Sequence, residues 1–296
     1  MSIETKMLPG ERLVWNYPQL VLEPEEGLKE TQKYKEIVLR GNLPGECDCP
    51  FTMSEQDSFR EMETPAGNVD VYFLYCRTDF ERAVQMLAYR GEPRPLPASM
   101  GAVTIRGLNN WRTIHAYKAR YLAAGNTDWN AEFRRITRNA DGGIHPLKYK
   151  DTIILLSNGY YSAVLPGEAG FSEEEWIRHS RTIRTWHELA HVVSGRLYPD
   201  NRETIRDEVV ADCIGLTAAF GTYDLRLARL FLGITEEGYR PGGRLENYLS
   251  GQDAGSEAPR ELLERVRRIM EALDGTADGK EPFERLREME EGRIGI

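Results

Sequence analysis

The chain has 296 residues, 41% of them hydrophobic and 29% charged, which at roughly 150 residues per domain is enough for one large or two modest cores and excludes a disordered protein. With 38 basic against 47 acidic residues the formal charge is -9, so no long-range field draws the chain toward phosphate backbones or anionic lipid, and nucleic acid is not an expected partner. The start lacks a basic-then-apolar leader, no uncharged run approaches the roughly 18 residues that span a bilayer, and four cysteines are too few for a disulfide scaffold; a soluble cytoplasmic protein with no membrane partner is expected.

Residues 1–66 are rich in Pro, Gly and Glu without a sustained period, which predicts an irregular N-terminal extension with one helix around Glu26–Leu39. Val69–Cys76 reads as a strand, and Thr78 with Glu81 as a capping box opening a helix through Tyr89, stopped by Gly91. Ala102–Arg106 is a second strand; Asn110 caps a helix through Ala124, and Asp128 caps another to about Arg138. Thr152–Ser157 and Tyr160–Leu165, joined by Asn158-Gly159, predict a hairpin with a type I′ turn, so the pattern is α+β and not βαβ.

Ser172 and Glu175 form a further capping box, and their helix runs to Val193 or Ser194 with Gly195 as a left-handed stop. Helices follow at Arg202–Phe220, ended by Gly221, and at Leu225–Leu232. Residues 250–258 read as a flexible linker and Pro259–Leu273 and Phe283–Glu290 as charged helices. All five tryptophans precede residue 190, which places the packed core in the first two thirds and leaves the tail peripheral.

The chemistry lies in the long helix. His187-Glu188-Leu189-Ala190-His191 puts two imidazoles one turn apart on one face, where they can converge on one cation, with Glu188 close enough to touch a metal-bound water. Ile183, Trp186, Leu189, Ala190 and Val193 crowd the same turns, so the histidines sit at the margin of a buried face. A catalytic zinc takes three protein ligands and keeps a position open. Glu208 and Asp212 stand one turn apart on a face shared with Ile205, Gly215 and Ala219, where like charges are destabilising unless a cation or a proton donor meets them. Glu208 is therefore the candidate third ligand, and Asp212 the acceptor for the outer N–H of a ligand histidine; Asp207 and Glu203 are weaker ligand candidates. The short SGRLYPDN loop predicts antiparallel packing of the two helices.

His187-Glu188-x-x-His191 followed by Glu208-x-x-Ala211-Asp212 resembles the gluzincin metallopeptidases, and its E-x-x-A-D form is similar to the HtpX-like and, more loosely, the ImmA/IrrE-like peptidases. The resemblance covers about residues 172–221 and implies zinc (Zn2+) on His187, His191 and Glu208, Glu188 as general base, and Asp212 behind a ligand histidine. The HtpX-like enzymes are membrane proteins and this chain carries no spanning segment. The metzincin arrangement is excluded, because it needs Gly at 194 and His or Asp at 197 where the chain has Ser194 and Leu197.

In such enzymes the strand before the zinc helix presents an open edge to an extended peptide, a role that falls to the Thr152–Leu165 hairpin. The oxyanion donor is sought in Tyr239, Arg240 and Tyr248, with Tyr160 and Tyr161 behind them. Cys47-Asp48-Cys49, Cys76 and Cys213 read as free thiols, and His115, His145 and His179 as structural or surface residues. The expected organisation is an α+β, zincin-like core over 67–250, with a small antiparallel sheet and a metal-binding helix pair, followed by a linker and charged helical tail over 251–296. The expected function is zinc-dependent hydrolysis of a peptide or protein substrate; the alternative is a non-catalytic binding or regulatory protein that retains the metal site.

Overall fold

The computed structural model describes residues 7–42, 45, 48–137, 149–201, 203–241, 243–249, 259–274 and 279–294. The expected linker over 250–258, His145 and Cys47 lie outside the described residues. Two compact units are assembled from separated stretches: Met1–Phe59, Leu74–Pro95 and Ile105–Leu155 form one, and Arg60–Phe73, Leu96–Thr104 and Leu156–Ile296 the other.

Strands β1 (Ser58–Met62), β2 (Val69–Leu74), β3 (Ala102–Asn109) and β4 (Lys150–Ser157) form one sheet in the order β1-β2-β4-β3. The α+β expectation holds, with a sheet that is mixed and not purely antiparallel. The β2–β4 neighbours are far apart in sequence, and such long connections, unlike hairpin turns, can join parallel strands. The continuous apolar runs of β2 and β4 are buried nearly throughout, as inner strands require, and β1 and β3 are the edges.

The first unit carries α1 (Pro9–Asn16), α2 (Gln32–Val38), α3 (Arg77–Leu87), α4 (Trp111–Ala123) and α5 (Trp129–Thr137). Helix α1 and strand β1 correct the expectation of an almost irregular 1–66. Proline in the first turn and the Glu11 carboxylate on the Leu8 N–H start α1. The Thr78–Glu81 box does not form: Cys76 is the N-cap of α3, Thr78 turns its hydroxyl to Cys76 Sγ at 3.4 Å, and Glu81 pairs with Arg77 at 2.7 Å. Asn110 and Asp128 cap α4 and α5 as expected, accepting the N–H groups of Thr113 and Ala131.

The second unit carries α6 (Pro166–Ala169), α7 (Glu173–Leu197), α8 (Thr204–Phe220), α9 (Leu225–Leu232), α10 (Glu246–Leu249), α11 (Pro259–Leu273) and α12 (Pro282–Glu290). Helix α7 does not stop at Gly195 but continues to Leu197, with Tyr198 as C-cap and Pro199 behind it. Burial of Val192, Val193 and Ser194 outweighs the roughly 1 kcal/mol by which glycine disfavours a helix. The C-terminal helices are not peripheral: Leu262, Val266, Met270, Leu273, Leu286 and Met289 enter the same apolar core as Val209, Val210 and Ile214. A stripe at i, i+3, i+4 spacing lies inside the charged sequence of α11, and composition alone conceals it.

The Tyr160–Leu165 strand does not exist. After β4 the chain turns through the 3-10 helix Tyr161–Ala163 and then into α6. Its backbone groups find partners on α7 instead of in a ladder: Ser180 Oγ accepts the Tyr161 N–H at 2.9 Å, and the Arg184 guanidinium donates to the carbonyls of Ser157, Gly159 and Tyr160. Strand β4 has neighbours on both sides, so it offers no free edge; β3 does.

Candidate metal centre

The site begins with the register of α7 against α8. Ile183 meets Gly215, His187 meets Asp212 and His191 meets Glu208, so the helices run antiparallel. Gly215 makes this approach possible, since a Cβ there would stand 2.8 Å from the Ile183 carbonyl oxygen and 2.9 Å from its Cγ2. Ser172 and Glu175 close the capping box at the start of α7.

One ligand-type atom from each of His187, His191 and Glu208 lies within 4.8 Å of the others. His187 Nε2 and His191 Nε2 are 3.0 Å apart, His187 Nε2 is 3.6 Å from Glu208 Oε2, and His191 Nε2 is 3.4 Å from Glu208 Oε1. Bonds of about 2.0–2.1 Å at the tetrahedral angle would set ligand atoms about 3.3–3.4 Å apart, and the observed separations lie near that value, with the two histidines facing different oxygens of Glu208. The side chains of His191 and Glu208 are 17% and 18% exposed, which leaves the cluster reachable from one side.

Behind His187 the surroundings are closed. Its Nδ1 lies 3.0 Å from Asp212 Oδ1 and 2.9 Å from Tyr161 Oη. Tyr161 donates to Asp212 Oδ1 at 2.6 Å, and Arg244 donates through Nη2 to Asp212 Oδ2 and through Nη1 to Tyr161 Oη and Ser162 Oγ, both at 3.1 Å. Burial would raise the Asp212 carboxyl, but the Arg244 charge and the donors on His187 and Tyr161 outweigh it and hold the pKa below the ordinary carboxylate value. Glu208 is lowered in the same way, burial being outweighed by the His191 hydrogen bond and by the charges of His187 and Arg244. His191 is raised: desolvation opposes its cation, and the carboxylates of Glu208, Glu188 and Asp207 more than compensate. A cation is therefore favoured at this point whether proton or metal supplies it.

On the open side, Thr104 of β3 donates its hydroxyl to Glu188 Oε2 at 2.5 Å. Tyr248, on α10, is hydrogen-bonded to Glu208, and burial together with the Glu208 charge raises its pKa. Tyr239 is exposed on a bridge to Ile234, Arg240 pairs with Glu168 at 3.1 Å, and Tyr160 donates to Glu173 at 2.9 Å. Of these tyrosines, Tyr248 bonds Glu208, and Tyr161 meets His187 from behind the ring. Asp207 accepts the Glu203 N–H, and Glu203 pairs with Arg265, so both weaker ligand candidates are engaged elsewhere. Cys49, Cys76 and Cys213 are free thiols.

Three contributors escape sequence reasoning: Thr104, Arg244, and Tyr161 in its role behind His187. Thr104 and Arg244 lie 84 and 32 residues from the groups they bond, with no periodic signal linking them. Tyr161 is delivered by a turn in which Ser162 (φ 50°) and Ala163 (φ 57°) are both left-handed, a conformation costing non-glycine residues about 1–2 kcal/mol each. Gly233 and Gly243 deliver Arg244: their Cα atoms pack so closely that a Cβ on Gly243 would stand 3.1 Å from Gly233 Cα and 2.9 Å from the Arg240 oxygen.

The chain belongs to a family of unknown function (DUF7005), whose model matches residues 9–289. No curated protein and no solved structure matches it. Among the described residues no helix is long and apolar enough to cross a membrane.

Proposed function

We propose that this protein is a zinc-dependent peptidase in which His187, His191 and Glu208 hold the metal and Glu188 is the general base. The observation that carries the reading is the set of three ligand-atom separations, 3.0, 3.4 and 3.6 Å, with Glu188 one residue along from His187. Among the described residues the cluster has three protein ligands and not four, which favours an open catalytic centre over a closed structural one. Zinc, when bound, supplies Lewis acidity toward a carbonyl oxygen and toward water.

The remaining work falls to the chain's own groups. Thr104 holds one Glu188 oxygen, leaving the other to take a proton from water and pass it to the leaving amine. Tyr248 gives its one hydroxyl proton to Glu208 and so orients that ligand carboxylate. The edge position of β3, which carries Thr104, suits backbone pairing with an extended peptide.

The test is digestion of a diverse peptide pool by zinc-loaded wild type and Glu188→Gln. Loss of a positioned general base typically costs about 10²–10⁴ in rate, so cleavage should fall by that factor while zinc stays bound. Absence of cleavage by wild type above a chelated control favours the non-catalytic binding protein, and equal product profiles for both forms contradict the role of Glu188.

A further inference from the structure

Behind His187 the donors and acceptors present assign each hydrogen-bonding proton. An arginine can only donate, so the 3.1 Å contact from Arg244 Nη1 makes Tyr161 Oη an acceptor on that side. The single proton of Tyr161 is then directed to the carboxylate at 2.6 Å, the shorter of its two remaining contacts and the one to a charged oxygen. That leaves none for His187. With Asp212 Oδ1 at 3.0 Å and Tyr161 Oη at 2.9 Å both turned toward Nδ1 as lone-pair atoms, only an imidazole carrying its own proton on Nδ1 avoids repulsion on both. The lone pair of the neutral ring then lies on Nε2, the atom facing His191 and Glu208.

We infer that Tyr161 and Arg244 are positioning residues that act through Asp212 to fix His187 in the Nδ1–H tautomer, so that its Nε2 is preset as a metal ligand. This inference rests on the metal reading above and extends it to residues that touch neither the ion nor a substrate. Asp212 alone would accept one proton from His187 yet leave the ring free to tilt about that bond. The Tyr161 hydroxyl supplies a second acceptor on the same nitrogen, and the two arms of Arg244 fix the direction of the hydroxyl. Ser162, reached by the same arm of Arg244, is peripheral to this chain of protons.

The experiment measures zinc affinity by chelator competition and the His187 Nδ1 proton by NMR of the zinc-loaded protein, in wild type, Tyr161→Phe, Arg244→Met and Ser162→Ala. Phenylalanine keeps the edge-to-face packing of the ring on Phe231 and loses only the hydroxyl. Tyr161→Phe and Arg244→Met should each weaken zinc binding by about 10–100-fold, the usual range for partners of a ligand histidine. Both should move the Nδ1 proton signal and speed its exchange with water, and Ser162→Ala should do neither. Arg244 Nη2 also stands 3.9 Å from Glu208 Oε2, so should Tyr161→Phe fail to fold, the Nδ1 proton of Arg244→Met, and not its zinc affinity, decides. Wild-type affinity and an unmoved, slowly exchanging Nδ1 proton in the folded variants would overturn the inference while leaving the metal site standing. No zinc uptake by wild type would overturn the metal reading and this inference with it.

Discussion

Helices α4 and α5 and helices α7 and α8 both hold a carboxylate depressed by donors, yet only the second pair builds a site. In the first, Glu132 accepts from Arg135 at 2.6 and 2.8 Å and from the Tyr117 hydroxyl, and these bonds hold its carboxyl down at about 2. The surrounding rings of Trp111, Trp129, Phe133 and Tyr121 contact one another, Trp111 stacked on Phe133 and Tyr121 edge-on to Trp129, along a hairpin in which, of the helical residues, only Ile114, Glu132 and Ile136 are buried. Every donor on Glu132 comes from the hairpin itself, so the arrangement is self-contained. In the second pair the donors on Asp212 come from three places in the chain, and a second carboxylate and two imidazoles converge one turn away. A shifted pKa identifies a paired group; convergence on one small volume identifies a candidate site.

Glu208→Ala should break the convergence most, reducing zinc affinity by more than the roughly 10–100-fold lost with an outer partner, measured by chelator competition. Asp212→Asn keeps the three ligands and should fall within that 10–100-fold range. Equal losses in the two variants would make Asp212 a ligand. Gly215→Ala tests the close approach of α7 and α8: overpacking against the Ile183 carbonyl should cost about 1–3 kcal/mol, read as a lowered denaturant midpoint. The smallest effect is expected in the exposed hairpin. The pKa of Glu132 is depressed from 4.5, so its contribution is present above about pH 4.5 and lost as pH falls toward about 2. Near-ultraviolet circular dichroism should show that step, and Glu132→Gln should remove it.

The legible parts of the sequence were those with a local period or cap. The Ser172 capping box, the histidines one turn apart, Glu208 and Asp212 on a small-residue face, and the Gly221 stop all depend on neighbours within a few residues. The Asn158-Gly159 turn misled because its dipeptide signal is local while the deciding partners, Ser180 and Arg184, lie on α7. The core contribution of α11 and the Arg244 contact with Asp212 were hidden for the same reason: each is fixed by tertiary packing across a loop.

The central claim is that the two-helix cluster binds one divalent metal through His187, His191 and Glu208. Titration of the chelator-treated protein with zinc in a calorimeter tests it directly. Wild type should take up about one zinc per chain, and His187→Ala and His191→Ala should abolish the uptake. No uptake by wild type, or uptake unchanged in both histidine variants, would contradict it.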